Sequence, residues 1–132
     1  MWIYNDKEVH NHDDLLPGCT DFVYIIQYTN GQRYIGKKCI ASKRKKPPLK
    51  GKKRCRRIMT RLPFVKYEGS HETADGLTIE TKEILYQCST KIAATYLEAA
   101  LMFHHDAIFD PCYLNENISG TFYDNSLNGL LE

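Results

Sequence analysis

Two tyrosines ten residues apart, Tyr24 and Tyr34, are the first side chains in this sequence whose types and spacing suggest chemistry. They lie in two apolar, β-branched and aromatic runs that flank residues 29–32, which read Thr-Asn-Gly-Gln. Asn-Gly between such runs predicts a β-hairpin, because both residues tolerate positive φ. Side chains alternate along a strand, so the hairpin can present both phenols on one face. Phenols donate and accept hydrogen bonds, but the same pattern is typical of a core hairpin whose tyrosine hydroxyls meet water.

One segment carries most of the positive charge. Residues 37–61 contain 13 of the 18 Lys and Arg residues and no Asp or Glu, although the whole chain has a net charge of only +2. The rest of the chain has five basic and 16 acidic residues, a net charge of −11. An acidic body with one dense basic segment indicates a polyanion partner, although a solvated basic loop has the same composition. The candidate nucleic-acid-binding residues are Lys37, Lys38, Lys43, Lys45, Lys46, Lys50, Lys52, Lys53, Arg54, Arg56 and Arg57.

Length and composition favour a single intracellular domain. A chain of 132 residues suits one domain with a modest core, so we expect one domain over residues 1–132. No run reaches the length of a membrane span, and no signal pattern opens the chain. The five cysteines are odd in number and contain no Cys-x-x-Cys, which favours reduced thiols in a cytoplasm over disulfides or a zinc site.

Turn signals place the elements on either side of the tyrosine hairpin. Residues 1–20 are expected to form an N-terminal arm, with a small hairpin that turns at Asn5 and Asp6. Trp2 is expected to pack this arm onto the body. Residues 77–88 are apolar and β-branched enough to predict a later strand.

The basic segment is expected to be partly helical. A short helix is predicted to begin near Ile40, and Pro47 must end it because proline lacks the amide proton and clashes with the preceding turn. A basic loop follows, and a second short helix through Ile58 is expected after it.

A longer helix is predicted to run to about His105, with Ser89 or Thr90 as its N-cap. Its expected apolar stripe is formed by Ile92, Tyr96, Ala100 and Phe103. Glu98 lies on the other side of this helix. A lone glutamate on a polar helix face is usually only solvated.

The tyrosine hairpin resembles the defining hairpin of the GIY-YIG nuclease superfamily. Tyr24 is followed ten residues later by Tyr34-Ile-Gly36, as the two halves of that motif are. Arg44 stands eight residues after Gly36, the interval at which the family places its catalytic arginine.

Two later residues extend the resemblance, which covers nearly the whole chain. Glu98 matches the family's metal-binding glutamate, and Asn115 matches the asparagine that often follows it. The wider pattern is similar to small phage-encoded nucleases, some of them related to homing endonucleases. It implies an α+β fold with a small antiparallel or mixed three-stranded central sheet flanked by helices.

The sequence departs from the family pattern at two places. The first half of the motif reads Phe22-Val-Tyr24, without its glycine. Pro48 replaces a histidine that some members carry one turn after the arginine, so a helix holding Arg44 would be very short. The alternatives for the catalytic arginine are therefore Arg54, Arg56 and Arg57.

The resemblance implies a metal-dependent DNA endonuclease that hydrolyses phosphodiester bonds. Glu98 would hold a single, weakly bound Mg²⁺ or Mn²⁺ ion, and Arg44 would donate its guanidinium to the scissile phosphate. Tyr24 would act as general base or orient the water, although an ordinary phenol has a pKa of about 10. Tyr34 would orient water or phosphate, and Asn115 would support the geometry of the site.

The implied partner is DNA, double-stranded in the simplest case. The basic segment would supply a sequence-independent grip that weakens steeply with salt. It lacks the apolar face of a membrane-binding helix, and it contains no identifiable base-reading helix. Cleavage of both strands by one small site would favour a homodimer or two sequential nicks.

Two other classes of function stay open. The chain could be a non-catalytic nucleic-acid-binding protein that retains the fold and the basic segment. It could also be an interaction or inhibitor protein whose acidic body contacts a protein partner, which would show little salt-sensitive DNA binding.

Overall fold

The computed structural model of the chain contains a mixed β-sheet, a separate two-stranded ribbon and one α-helix. It describes residues 1–54, 56–68, 76–115 and 130–131, and for residues 43–46, 56–58 and 130–131 the description covers the backbone. No helix within these ranges is long and apolar enough to cross a membrane. The elements are β1 (Trp2–Tyr4), β2 (Lys7–Val9), a 3-10 turn (His12–Asp14), β3 (Asp21–Tyr28), β4 (Arg33–Cys39), β5 (Ala41–Lys46), β6 (Arg56–Arg61), β7 (Ile79–Cys88), α1 (Lys91–His104) and β8 (Leu130–Leu131).

The sheet has the strand order β2-β1-β7-β3-β4, and β8 pairs with the end of β7. The β1–β7 pair is parallel, and the other pairs are antiparallel. The predicted α+β class with a mixed sheet is therefore confirmed. Strands β7, β3 and β4 form one end of this sheet, and the N-terminal hairpin adds two strands because Trp2 pairs with Lys82 on the other edge of β7. The sheet is therefore wider than the three strands that the sequence predicts. Asn5 and Asp6 form the turn of that hairpin, both at positive φ.

The tyrosine hairpin forms as the sequence predicts. Strands β3 and β4 pair with Tyr24 opposite Gly36, so Tyr24 and Tyr34 share one face of the sheet. At the turn, Gly31 donates to the carbonyl of Tyr28 and has a φ of +89°. A type I turn followed by a left-handed glycine is a common three-residue hairpin loop, and it sets this register.

The sheet has an apolar layer on each side. One layer, the tyrosine face, is a cluster of large side chains that includes Trp2, Phe22, Tyr24, Ile26 and Phe64. The opposite layer contains Val23, Ile25 and Ile35 and is covered by α1. Because side chains alternate along a strand, neighbouring residues of β3 serve the two layers in turn.

Helix α1 begins where the sequence predicts, but its buried face is different. Thr90 is the N-cap and accepts a hydrogen bond from the amide of Ala93. The predicted apolar stripe is wrong, since Tyr96 is 43% and Phe103 is 68% exposed. Small side chains let a helix approach a sheet closely, which is why the buried residues are mostly alanines. They are Ala93, Ala94, Ala99 and Met102.

The basic segment is a β-ribbon, so the two short helices predicted near Ile40 and through Ile58 are wrong. Six consecutive pairs join β5 to β6 in antiparallel register. Gly51, at a φ of +84°, and the Lys52 amide, which donates to the Leu49 carbonyl at 2.9 Å, reverse the chain at the tip. Antiparallel pairing satisfies the backbone groups of both basic strands, whereas a helix that Pro47 must end within two turns gains few hydrogen bonds.

Residues 112–115 cover the outer edge of β4. The amide of Arg33 donates to the carbonyl of Cys112 at 2.7 Å, and the amide of Leu114 donates to the carbonyl of Arg33 at 2.8 Å. The side chain of Asn115 continues this ladder. Its Oδ1 accepts from the Ile35 amide at 3.0 Å, and its Nδ2 donates to the Ile35 carbonyl at 2.7 Å. One side chain therefore takes the place of a strand residue and fixes the backbone between Tyr34 and Gly36.

Replacing Asn115 by Asp should destabilise the fold in a pH-dependent manner. A carboxylate still accepts from the Ile35 amide but cannot donate to its carbonyl, so we expect a loss of about 1–3 kcal/mol in the free energy of unfolding at neutral pH. At about pH 3 the carboxyl group is largely protonated and can donate again, so part of the loss should be recovered. Urea denaturation at both pH values measures this.

Asn115→Ala is the control, because it removes both hydrogen bonds and should lose stability at both pH values. Wild-type stability of Asn115→Asp at neutral pH would show that the amide does not hold β4.

Candidate active site

The two phenols of the hairpin meet at Gly36. The rings of Tyr24 and Tyr34 lie with their centroids 6.2 Å apart on the same face. The Tyr24 hydroxyl lies against the backbone of Gly36. A Cβ at position 36 would lie 2.6 Å from Cζ of Tyr24 and 2.9 Å from Cε1 of Tyr34, both closer than real Cβ contacts. Glycine is therefore required at this position by space, since nothing larger leaves room for the two rings.

Tyr24 is fully buried, and its surroundings oppose ionisation. Burial raises the pKa of Tyr24 far above that of a free phenol, and the Tyr67 hydroxyl, Tyr34 and the negative charge of Glu98 raise it further. Tyr24 is therefore a neutral phenol at physiological pH. A neutral phenol is suited to orienting a water or passing on a proton, and it cannot remove a proton unaided.

A third phenol, that of Tyr67, completes this cluster. The hydroxyls of Tyr24 and Tyr67 are 3.5 Å apart, and their rings meet edge to face with centroids 6.0 Å apart. The ammonium of Lys38 lies 4.6 Å from the centroid of the Tyr67 ring. Sequence reasoning did not assign Tyr67 a role. Its position 43 residues after Tyr24, in a segment without clear periodicity, gives no signal that the two side chains touch.

The chain between Phe64 and Tyr67, here called the strap, is fastened across the tyrosine face. The indole Nε1 of Trp2 donates to the carbonyl of Phe64 at 2.9 Å. The ammonium of Lys82 donates to the carbonyls of Val65 and Tyr67 at 3.1 and 3.0 Å. Burial lowers the pKa of Lys82, whose ammonium also lies 4.8 Å from the Trp2 ring centroid. These bonds hold Tyr67 over Tyr24.

Glu98 lies on the side of α1 that approaches the sheet, and it is half-buried rather than free in solvent. Burial raises the pKa of its carboxyl group, and the nearby Lys37 partly offsets this. Lys37 pairs with Val23 on the helix-facing layer, and its ammonium donates to the hydroxyl of Thr95. The charge of Glu98 makes a small contribution to the raised pKa of Tyr24, although α1 covers the opposite layer of the sheet.

Glu98 is a carboxylate that could serve as one ligand of a divalent cation. No group of three or more His, Cys, Asp or Glu side chains within the described ranges could enclose a metal ion. Glu98 is a single carboxylate that accepts no hydrogen bond from any described residue. Carboxylate oxygens suit Mg²⁺ and Mn²⁺, which commonly complete their shells with water and substrate phosphate.

Three of the four candidate arginines lie on the strands of the ribbon. Arg44 lies on β5 opposite Ile58 of β6, so the strand replaces the helix that was expected to carry it. Arg56 and Arg57 lie on the facing strand, and Arg54 is exposed at the tip of the ribbon. The side chains of Arg44, Arg56 and Arg57 lie outside the described part of the structure.

A central sheet with paired tyrosines on adjacent strands, followed by a helix that carries a glutamate, is the arrangement that the GIY-YIG nuclease resemblance implies. The family model described as "Putative endonuclease segE, GIY-YIG domain" matches residues 2–118. The chain therefore belongs to this GIY-YIG endonuclease family. No curated protein and no solved structure matches it.

Replacing Glu98 by Gln should stabilise the protein at neutral pH. Because burial raises the folded-state pKa of this carboxyl group, its charge opposes folding above that pKa, and the amide removes the charge. As the pH falls through the folded-state pKa towards the unfolded value of about 4.3, the wild type protonates and the difference should vanish. We expect melting temperatures a few degrees apart at pH 7 and equal in acid.

Glu83→Gln is the matched control, since it makes the same change at an exposed position of β7. An equal or lower melting temperature for Glu98→Gln than for the wild type at pH 7 would contradict the burial of this charge.

Proposed function

We propose that this protein is a metal-dependent DNA endonuclease that hydrolyses phosphodiester bonds. The observation that supports this most strongly is the meeting of Tyr24 and Tyr34 at Gly36. Membership of a GIY-YIG endonuclease family supports the reaction class.

Glu98 would hold one Mg²⁺ or Mn²⁺ ion, which when bound supplies Lewis-acid polarisation of the phosphate and neutralises its developing charge. A single protein carboxylate implies weak affinity for the ion and dependence on DNA to complete its shell. The charge of Lys37 lowers the pKa of this carboxyl group and so partly offsets the effect of burial when the ion is absent.

The phenols would position the attacking water. Tyr34 is half-exposed and can hydrogen-bond a water or a phosphate oxygen directly. Tyr24 is neutral and fully buried, so it would support the neighbouring phenols rather than contact the water itself, and Asn115 would keep the intervening backbone fixed. One arginine, Arg44 in our proposal, would stabilise the negative charge that develops on the phosphate.

The basic ribbon would grip the DNA. Strands β5 and β6 pair over six residues, which at about 3.3 Å per residue makes a ribbon about 20 Å long. A two-stranded ribbon fits the major groove of B-DNA. The tip carries exposed Lys50, Lys52, Lys53 and Arg54. Contacts of these and the other basic residues of the segment with phosphates would make binding fall steeply with salt.

One observation favours the alternative of a non-catalytic nucleic-acid-binding protein. Tyr24 has no exposed surface, because the strap and Tyr67 cover it. A protein that had lost catalysis could retain the ribbon and bury this phenol at no functional cost. It would bind DNA with the same salt dependence and cleave none.

Incubation of supercoiled plasmid with the purified protein and Mg²⁺ or Mn²⁺ separates the two proposals. We expect nicking or linearisation by the wild type and a loss of at least about a hundredfold in rate for Glu98→Gln, because the only proposed metal ligand is weakened. Glu83→Gln makes the same charge change outside the site and should retain wild-type activity. Equal cleavage by the wild type and Glu98→Gln would end the catalytic proposal.

The same assay identifies the arginine. Arg44→Ala should lose activity to a similar extent, whereas single alanine changes at Arg54, Arg56 and Arg57 should mainly weaken DNA binding. Retained activity in Arg44→Ala with loss in one of the other three would reassign the role.

A further inference from the structure

Tyr67 is half-buried, as Tyr34 is, and its hydrogen bond with Tyr24 indicates which way its proton points. Tyr24 is fully buried, and the Tyr67 oxygen at 3.5 Å is the hydrogen-bond partner of its hydroxyl. An unpaired buried O–H is costly, whereas a half-buried hydroxyl such as that of Tyr67 can use solvent instead. Tyr24 therefore donates to Tyr67, and the proton of Tyr67 is left to point outward.

The ammonium of Lys38 lies close to the ring of Tyr67, whose hydroxyl proton points outward. The ammonium of Lys38 lies 4.6 Å from the centroid of the Tyr67 ring, and Lys38 is half-buried on the same face of the sheet as Tyr24. A hydroxyl donor next to an ammonium suits an anionic oxygen, because hydrogen bonds to charged acceptors are the stronger ones.

We propose that Tyr67 and Lys38 bind a phosphate oxygen of the DNA, with Tyr24 as the buried support that orients the Tyr67 hydroxyl. This inference rests on the proposed function for its ligand. It assigns substrate contact to a residue outside the hairpin motif, and it gives the burial of Tyr24 a use. Tyr24 of the family hairpin would then act on the substrate only through the hydroxyl of Tyr67.

The strap makes this contact preorganised. Lys82 holds the carbonyls of Val65 and Tyr67, and the indole of Trp2 holds that of Phe64, so the Tyr67 backbone is fixed before DNA arrives. A fixed donor loses less conformational entropy on binding than a side chain on a free loop. The 3.5 Å separation of the two hydroxyls is long, and a bound phosphate that accepts from Tyr67 would polarise its oxygen and strengthen the bond from Tyr24.

The test measures DNA affinity by fluorescence anisotropy with a short labelled duplex in EDTA, where no metal-dependent cleavage can occur. Tyr67→Phe keeps the ring and its contacts with Tyr24 and Lys38 but removes the hydroxyl. We expect it to weaken binding about tenfold to a hundredfold, as the loss of a hydrogen bond to a charged group does. Tyr24→Phe removes the buried hydroxyl of the same pair, and it should change the DNA affinity much less. Tyr4→Phe, on β1, is the control for removal of a tyrosine hydroxyl elsewhere.

Salt dependence distinguishes the two members of the pair. Lys38→Met should weaken binding and lower the slope of log affinity against log salt by about one, since one phosphate loses its cation. Tyr67→Phe should leave this slope unchanged. Because both residues would serve one phosphate, the double variant should bind more tightly than the product of the two single effects predicts.

The outcomes are separable from those of the plasmid assay. Wild-type affinity in Tyr67→Phe, or equal losses in Tyr67→Phe and Tyr24→Phe, would overturn the inference and show that the hydroxyl pair is only structural. Absence of cleavage by the wild type with Mg²⁺ or Mn²⁺ would overturn the proposed nuclease while these binding results stand on their own.

Discussion

The rest of the structure depends on the close approach of Tyr24 to the backbone of Gly36. The hydroxyl of a buried tyrosine can reach this point only because residue 36 has no side chain. The approach brings Tyr34 beside it and leaves the hydroxyl within reach of Tyr67. The Asn115 amide holds the adjacent residue Ile35 by both backbone groups, so the strand cannot move away from the ring. One missing Cβ thus sets the geometry of three phenols.

The site is held in place against unfavourable electrostatics. Burial raises the pKa of Tyr24 and of Glu98 and lowers that of Lys82, so each of these groups would be easier to ionise in water than where it lies. Stability comes from the aromatic cluster around Trp2 and Phe22, where edge-to-face ring pairs lie with centroids 5.0 to 6.1 Å apart. Phe22, which replaces the first glycine of the family motif, belongs to this cluster. A well-packed aromatic face allows functional groups nearby to remain in positions that cost stability.

The sequence predicts the elements whose signals are local. Asn30-Gly31 marks the hairpin, and Thr90 marks the start of the helix, because turn and cap chemistry acts within a few residues. It does not predict the ribbon, because a run of Lys and Arg has no hydrophobic period and its strand pairing depends on partners ten to twenty residues away. The buried face of α1 was also missed, since close packing on the sheet selected alanines over Tyr96 and Phe103. The placement of Tyr67 over Tyr24 depends on long-range bonds from Trp2 and Lys82, which no local pattern encodes.

The central proposal is that a cation held by Glu98 lies close to the hairpin phenols. Paramagnetic broadening by trace Mn²⁺ tests it most directly, in NMR spectra of protein with labelled tyrosine rings. The account predicts that the Tyr24 and Tyr34 signals broaden first, that Tyr4 is spared, and that Glu98→Gln abolishes the effect while Glu83→Gln does not. Broadening centred on other carboxylates, with the Tyr24 and Tyr34 rings untouched, would contradict it.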